Sequence, residues 1–182
     1  MRSELQLITY LLIETGCRPS EIINLRPEDI HLDCAVPYIS IAPRQTREIN
    51  TEASIRDIPL VGVALEAATR SPKGFPHYHD RGELFSANMI KAFRARKLFP
   101  TDAHVMYSFR HAFEQRMQEA NIDYGLRCLL MGHRNTRPSY GDGGSMAYRR
   151  DELMKIVHPC DSEVFSRIDE AFPEHTPGRD AV

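Results

Sequence analysis

The segment from residue 3 to residue 15 constrains the fold most strongly, because its pattern is that of a helix that is apolar on most sides. Its apolar positions, on one line of the helix and directly beside it, are Leu5, Leu7, Ile8, Leu11 and Leu12. A helix without a broad polar face has to be surrounded by other elements of its own domain. The pattern therefore predicts a central helix, which Gly16 ends.

The composition is that of an ordinary globular chain. The 182 residues are 42 % apolar and 26 % charged, which excludes a disordered or fibrous chain and predicts one domain. The formal net charge of −2 neither favours nor excludes nucleic acid, because binding depends on where the charges lie. Four widely spaced cysteines without a C-x-x-C pair exclude a disulfide scaffold and a zinc ribbon, and fit a reducing compartment.

The sequence contains no run of about 18 apolar residues, so we expect no membrane-spanning helix. The short apolar run over residues 5–13 ends near Gly16-Cys17, as in a lipoprotein signal. Acidic residues at Glu4 and Glu14 favour a helix in a folded core instead. We therefore expect a cytoplasmic protein.

The remaining patterns predict a mainly α-helical domain with one small antiparallel β-sheet, an α+β fold. Alternation of Ile39 and Ile41 predicts a strand over Tyr38–Ile41, and a second strand is expected over Ser54–Leu60. The polar residues Pro43–Ala53 between them are expected to form a long hairpin loop, and long loops usually bind a ligand or a partner. The predicted helices after the first are a short one beginning at Pro19 and those over 61–70, 87–98, 109–120, 124–131 and 146–157. Ser108 and Asp123 are the expected N-caps of 109–120 and 124–131, and Gly132 is the expected end of 124–131.

Three segments carry polar residues that a plain helical domain does not need. Arg18 lies at the junction of the first two helices. Arg110 lies in the first turn of a helix, where the dipole disfavours a cation, so we expect it to bind a carboxylate such as Glu21 or a phosphate. His133 follows a helix end, and Tyr140 follows it in a glycine-rich turn. Taken singly, each is more often structural: an ion-paired arginine, a solvated histidine, a packed tyrosine.

In this order and spacing the segments resemble the catalytic domain of the tyrosine recombinases, the phage-integrase family. Four stretches carry the resemblance: Thr15, Gly16, Arg18 and Glu21 match T-G-x-R-x-x-E; Tyr107-x-x-Arg110 with His111 corresponds to H-x-x-R; Met131-Gly132-His133 corresponds to L-G-H; and Ser54-x-Arg56-x-Ile58-Pro59-Leu60 looks like the R-x-I/V-P-L of the third β-strand. The resemblance runs from about residue 4 to residue 157. Each motif alone is weak, and their combination is strong. It implies the DNA breaking-rejoining fold of that family.

The resemblance implies site-specific DNA recombination by tyrosine attack on a phosphodiester, through a 3′-phosphotyrosyl intermediate, without ATP, metal or cofactor. It makes Tyr140 the nucleophile, Arg18 and Arg110 the clamp on the phosphate, and His133 a hydrogen-bond donor to that phosphate. Tyr107 stands where histidine is usual, and its phenol can still donate a hydrogen bond. Tyr148, in a predicted helix, is the alternative nucleophile.

One departure from the family bears on activity. The general acid of the family is a lysine in the β-hairpin, and the corresponding position holds Asn50, which cannot donate that proton. Arg47 is a poor acid, and Lys73 or Lys91 could act from elsewhere. Loss of a general acid costs about 10²–10⁴-fold in rate. The alternative function is therefore an impaired relic that binds DNA or recombinase partners without cleaving. A helical domain unrelated to DNA is a third and weaker interpretation.

The expected partners are double-stranded DNA and further copies of the chain on DNA, since the family acts as a tetramer; the elements that encode such enzymes include prophages. The residues expected to contact DNA are Lys91 and Arg94 of a basic helix, Arg47 of the hairpin loop, and Arg137 before the glycine-rich turn. We expect a catalytic domain over residues 1–157 and a C-terminal tail over 158–182 that is loose or docks on a neighbour. The family's N-terminal core-binding domain has no counterpart in this chain, so we expect weak DNA binding in isolation.

Overall fold

The computed structural model describes residues 3–43, 54–137, 142–161 and 163–173. The elements in these ranges are, in chain order, α1 (Ser3–Thr15), α2 (Pro19–Ile23), a 3₁₀ turn (Pro27–Asp29), β1 (Ile30–His31), β2 (Tyr38–Ile41), β3 (Arg56–Pro59), α3 (Gly62–Arg70), α4 (Gly82–Ala95), α5 (Ser108–Glu119), α6 (Tyr124–Met131), α7 (Met146–Met154) and α8 (Glu163–Ala171). The chain is therefore mainly α-helical with one small antiparallel sheet, as predicted. No helix within the described ranges is long and apolar enough to cross a membrane.

Helix α1 lies in the middle of the core, as its pattern predicts. Its five apolar side chains are at most 2 % exposed, and the helix packs against both α3 and α5. Gly16 ends it at a φ of +60°, and a Cβ there would lie 2.3 Å from Phe113 Cδ1 on α5. Glycine is therefore required both by the backbone conformation and by the close passage of α5.

The sheet has the order β1-β2-β3, with antiparallel neighbours. Ile39 lies opposite Ile58, and Ile41 opposite Arg56. All four side chains are buried, because residues two apart on a strand share a face and this face covers the core. The two predicted strands are present, the second over a shorter range, whereas β1 was not predicted because two residues are too few to show alternation.

The bounds predicted for α4 are wrong. The helix begins five residues earlier than predicted, where Phe85 packs edge-on against Tyr78 with ring centroids 5.3 Å apart. It ends early because Lys97 adopts a φ of +53° and the amide of Leu98 donates to the carbonyl of Phe93 at 3.0 Å. This left-handed stop is usually made by glycine, so a lysine there gives no signal in the sequence.

Of the two predicted N-caps, one is correct. Asp123 Oδ1 accepts a hydrogen bond from Leu126 N at 3.0 Å, and Gly132 ends α6 at a φ of +62°. Ser108 is instead the first residue of α5, and its hydroxyl accepts from Val105 N at 3.1 Å. Tyr107 takes the N-cap position without a capping bond from its side chain.

The described part of the expected tail packs on its own chain. Helix α8 buries Phe165 and Ile168, and Arg70 of α3 donates to both carboxylate oxygens of Asp169 at 2.7 and 2.8 Å. The guanidinium of Arg70 also lies 4.7 Å from the centre of the Phe165 ring. We did not predict this short amphipathic helix, because the region is acidic and contains prolines. Its two buried apolar residues lie only three positions apart.

Candidate functional site

The candidate site forms where three segments distant in sequence meet: the turn after α1, the start of α5 and the end of α6. Arg110, in the first turn of α5, is 2 % exposed and joins the other two segments. Its Nη1 donates to the carbonyl of Gly16 at 2.7 Å, and its Nη2 donates to the carbonyl of Met131. One guanidinium thus connects the Arg18 junction to the turn that carries His133.

The prediction that Arg110 binds the carboxylate of Glu21 is wrong, and the other expected partner, a phosphate, stays a prediction. Within the described ranges, Arg110 bonds to main-chain carbonyls and to His133, and the carboxylate of Glu21 is taken by Arg18 and Arg56. A buried carboxylate already bound by two guanidinium groups has no need of a third.

Arg18 is oriented by Glu21 and still reaches solvent. The Arg18 amide donates to Glu21 Oε2 at 2.7 Å, and its Nη1 donates to Oε1 at 2.8 Å, across the first turn of α2. The side chain of Arg18 is 25 % exposed. Pro19 occupies the first turn of α2, as predicted, where its missing N–H costs nothing.

His133 touches Arg110 directly. Its Nε2 lies 2.9 Å from Arg110 Nη2, and because arginine can only donate, Nε2 is the acceptor and the ring proton lies on Nδ1. Burial, and then the charge of Arg110, lower the pKa of His133 below its usual 6.5. His133 is therefore a neutral ring at pH 7, and Nδ1 is the nitrogen with a proton to donate.

Tyr107 is the N-cap residue of α5 and is 42 % exposed. Its ring packs edge-on against His111, with centroids 5.4 Å apart. The phenol is close enough to Arg110 to act on the pKa of its guanidinium. The expected contribution of Tyr107 is therefore compatible with its place beside Arg110.

The sequence analysis missed the role of Arg56. Its buried guanidinium donates to both oxygens of Glu21, at 3.1 and 2.8 Å, and to the carbonyl of Leu130 at 2.9 Å. The alternation in β3 could have revealed it, because Arg56 and Ile58 lie two residues apart and therefore share the inward face of the strand. A charged residue on a core-facing strand position needs a buried partner.

The electrostatics of the site favour an anion. Burial raises the pKa of Glu21, but the hydrogen bonds and charges of Arg56 and Arg18 outweigh it and hold that pKa at about 2. Burial lowers the pKa of Arg110, and the charge of Arg18 lowers it further. Arg18 and Arg56 bind the single carboxylate of Glu21. Arg110 lies close enough to Arg18 to be affected by its charge, so positive charge is in excess and can attract a negatively charged group.

Three of the residues predicted to contact DNA are described, and all are exposed. Lys91 and Arg94 lie on α4, and neither forms an ion pair with a described carboxylate. Arg137 lies over the ring of Tyr124, with its guanidinium carbon 4.2 Å from the ring centre. No geometry here links these three residues to the Arg110 site.

Tyr140, Arg47 and Asn50 lie outside the described residues. Tyr148, the alternative nucleophile, lies in the first turn of α7 and is 44 % exposed. Its amide donates a hydrogen bond to the side chain of Ser145, the N-cap residue of the helix. Among the described side chains, no group of three or more His, Cys, Asp or Glu residues is arranged to hold a metal ion.

No protein-family model and no curated protein sequence matches this chain. Its fold is similar to that of the Tn1549 transposon integrase, solved in complex with transposon right-end DNA, with a TM-score of 0.51 and 18 % sequence identity. The similarity covers 91 % of this chain and 57 % of the integrase chain. The chain therefore has the fold of a tyrosine-integrase catalytic domain, as the resemblance implies, and spans little more than half of that solved structure.

Proposed function

We propose that this chain binds double-stranded DNA and cleaves and rejoins its backbone by tyrosine attack, as a site-specific recombinase of the integrase type. The observation that carries the proposal is the meeting of Arg18, Arg110 and His133 around an excess of positive charge. The fold shared with a DNA-bound integrase supports it. An enzyme of this kind acts where its DNA lies, and the proposed compartment is the cytoplasm.

The chemistry suits these side chains. A phosphodiester resists attack because its anionic oxygens repel nucleophiles, and guanidinium groups bind such oxygens in pairs of hydrogen bonds. In the proposed mechanism Arg18 and Arg110 neutralise the charge that builds up on the pentacoordinate phosphorus, and His133 donates from Nδ1. Tyr107 adds a phenolic donor at the edge of the site.

The proposed nucleophile is Tyr140. Its phenolic oxygen forms a bond to phosphorus as the bond to the 5′-oxygen breaks; the phenol loses its proton, and the leaving 5′-oxygen gains one. The phosphotyrosine keeps the bond energy, so rejoining needs no ATP. Tyr148 remains the alternative, because it is exposed on α7.

DNA beyond the reacting phosphate would be bound by exposed cations. Lys91 and Arg94 on α4 form no ion pair with a described carboxylate, and Arg137 and Arg47 are the further cations that the sequence assigns to DNA contact. Each phosphate neutralised by a lysine or arginine releases counterions, so binding of this kind weakens as salt rises. Self-association on DNA completes the proposal.

A second candidate function is DNA binding without cleavage, and Asn50 is the observation that favours it. An amide cannot protonate the leaving 5′-oxygen. If no other acid replaces it, strand cleavage slows by about 10²–10⁴-fold while DNA binding is unaffected.

The test is covalent trapping on nicked suicide DNA taken from the ends of the element that encodes the protein. Wild type, Tyr140→Phe, Tyr148→Phe and Asn50→Lys are compared by a denaturation-resistant protein–DNA band. We expect a band that only Tyr140→Phe abolishes. A band only in Asn50→Lys would favour the binding-only function. No band in any variant, together with DNA affinity that is insensitive to salt, contradicts both candidates.

A further inference from the structure

Arg56 is a buried cation that the proposed chemistry does not use. Its side chain is 0 % exposed. Nε donates to Leu130 O at 2.9 Å, Nη1 to Ser54 O at 2.7 Å and Glu21 Oε1 at 3.1 Å, and Nη2 to Glu21 Oε2 at 2.8 Å and Cys17 Sγ at 3.7 Å. An arginine has five N–H donors, and these five acceptors use all of them.

The acceptors belong to three segments, two of which, the turn after α1 and the end of α6, form the candidate site. Cys17 and Glu21 lie on either side of Arg18, and the carbonyl of Leu130 lies 74 positions along the chain from Arg56. Ser54 is the first described residue after positions 44–53, which lie outside the described residues. Arg56 therefore cross-links the turn after α1, the end of α6 and the start of β3.

Arg56 and Arg110 donate hydrogen bonds to adjacent main-chain carbonyls at the end of α6. Arg56 binds the carbonyl of Leu130, and Arg110 binds the next one, that of Met131. Cations are favoured at a helix C-terminus because the helix dipole places negative charge there. Gly132 follows in a left-handed conformation, and a Cβ on it would lie only 2.7 Å from Arg56 Nη1.

We propose that Arg56 is a positioning residue that holds the Arg18 junction and the His133 turn in register, so that Arg18, Arg110 and His133 face one anion. The identity of that anion as a DNA phosphate rests on the proposed function. Arg56 itself has no donor left for a ligand, so it acts through its neighbours. A lysine keeps the charge but is a point donor that cannot bridge the three segments.

The matched control is Arg116, which makes the same kind of bridge away from the site. Its Nη1 donates to Glu14 Oε2 at 3.1 Å and to Ile156 O at 2.5 Å, and its Nη2 donates to the carbonyl of Ile13. Arg116→Lys therefore removes a comparable arginine–carboxylate–carbonyl bridge without touching Arg18, Arg110 or His133.

The experiment compares wild type, Arg56→Lys and Arg116→Lys in two ways. The first is the single-turnover rate of covalent complex formation at saturating nicked DNA, with the Kd for that DNA measured separately. The second is an NMR pH titration of the His133 ring, assigned by the loss of its signal in His133→Gln. This second measurement does not depend on cleavage.

Arg56→Lys is expected to slow covalent complex formation by about 10- to 100-fold, because small misplacements of reacting groups cost that much. The Kd should change much less than the rate. The pKa of His133 should rise toward 6.5, since a displaced ring is less buried and is no longer held against Arg110. Arg116→Lys should leave the rate, the Kd and the His133 titration as in wild type.

The outcomes separate the two proposals. If wild type forms no covalent complex but only Arg56→Lys changes the His133 titration, cleavage fails as a function and the positioning role stands. If wild type cleaves and the two lysine variants behave alike in both measurements, the positioning role is overturned. Should Arg56→Lys not fold, the double variant Arg56→Met/Glu21→Leu removes both buried partners, a change that is often tolerated. An unaltered His133 titration in that variant would equally overturn the role.

Discussion

Two arginine–glutamate clusters flank the end of α1, and they differ in how their charges balance. Glu14 is 0 % exposed and is met by Arg116 and by His158, whose Nδ1 lies 2.9 Å from Glu14 Oε1. Glu21 is met by two full cations, Arg56 and Arg18. The first cluster joins α1, α5 and the chain before α8 with its charges paired.

The second cluster carries a surplus of positive charge, and Arg110 and His133 lie next to it. Buried ions are normally paired, so a surplus that reaches the surface at Arg18 is the feature that needs an explanation. An anionic ligand supplies one. An arginine–glutamate pair can therefore act as a purely structural link or support a binding site, depending on whether further cations lie next to it.

The largest expected effects come from breaking each cluster. Arg56→Met and Arg116→Met each leave a buried glutamate short of a partner, and we expect losses of about 3–5 kcal/mol in the free energy of unfolding. Arg56→Met should lie at the upper end, because Arg56 is fully buried and Arg116 is 18 % exposed. Urea denaturation at pH 7 measures both. A loss below about 1 kcal/mol for Arg56→Met contradicts the buried bridge.

Arg18 and Arg110 divide the second cluster into a removable and a structural part. Arg18→Ala should lower the cleavage rate by about 10²–10³-fold with little change in Tm, since Glu21 keeps Arg56. Arg110→Ala should lower the cleavage rate by as much and should also lower Tm, because its hydrogen bonds to the carbonyls of Gly16 and Met131 are lost. The sequence alone predicts no such difference. Equal melting temperatures for the two variants would show that the bridge from α5 contributes no stability.

Acid should weaken the second cluster in a defined pH range. The pKa of Glu21 is about 2 in the folded chain and 4.5 ordinarily, so its stabilising contribution is complete above pH 4.5 and is lost as the pH falls towards 2. That contribution is on the order of 3 kcal/mol. The measurement is the difference in unfolding free energy between wild type and Glu21→Gln at several pH values. A difference that does not shrink between pH 4.5 and pH 2 contradicts it.

Two glycines give a smaller and matched test. Gly132 has a φ of +62° and would place a Cβ 2.7 Å from Arg56 Nη1, and Gly62 has a φ of +49° and would place one 2.7 Å from Val157 Cγ1. Each change to alanine should cost about 1–3 kcal/mol. Only Gly132→Ala is expected to slow covalent complex formation beyond its effect on folding. Equal rates in the two variants would remove the distinction between the clusters.

The smallest effects are expected on the surface of α4. Replacing Lys91 and Arg94 by alanine should lower the salt dependence of DNA affinity by about one unit of slope per residue and leave Tm unchanged. Arg167→Ala is the control, because Arg167 is paired with Glu163 at 2.6 Å on α8. Titrations at several salt concentrations measure the slopes. A slope unaltered by the α4 changes places the DNA elsewhere.

The local parts of this fold were predictable from the sequence. Helix α1, its end at Gly16, Pro19 in the first turn of α2, and Asp123 and Gly132 at the ends of α6 depend on residues within a few positions of one another. Backbone conformation and capping are short-range effects, so the identity of the residue carries the information. The end of α4 was not predicted, because Lys97 adopts the left-handed conformation that glycine normally adopts at the end of a helix.

For the candidate site, the sequence predicted which side chains lie close together but not the contacts that they make. The motif order predicted that Arg18, Arg110 and His133 lie close together. Only the tertiary structure decided that Arg110 binds main-chain carbonyls and that Arg56 binds Glu21. Arg56 meets Glu21 and Leu130 across 35 and 74 positions. No local pattern specifies such contacts, because they follow from how helices and sheet pack, and a buried guanidinium binds whatever acceptors that packing leaves within reach.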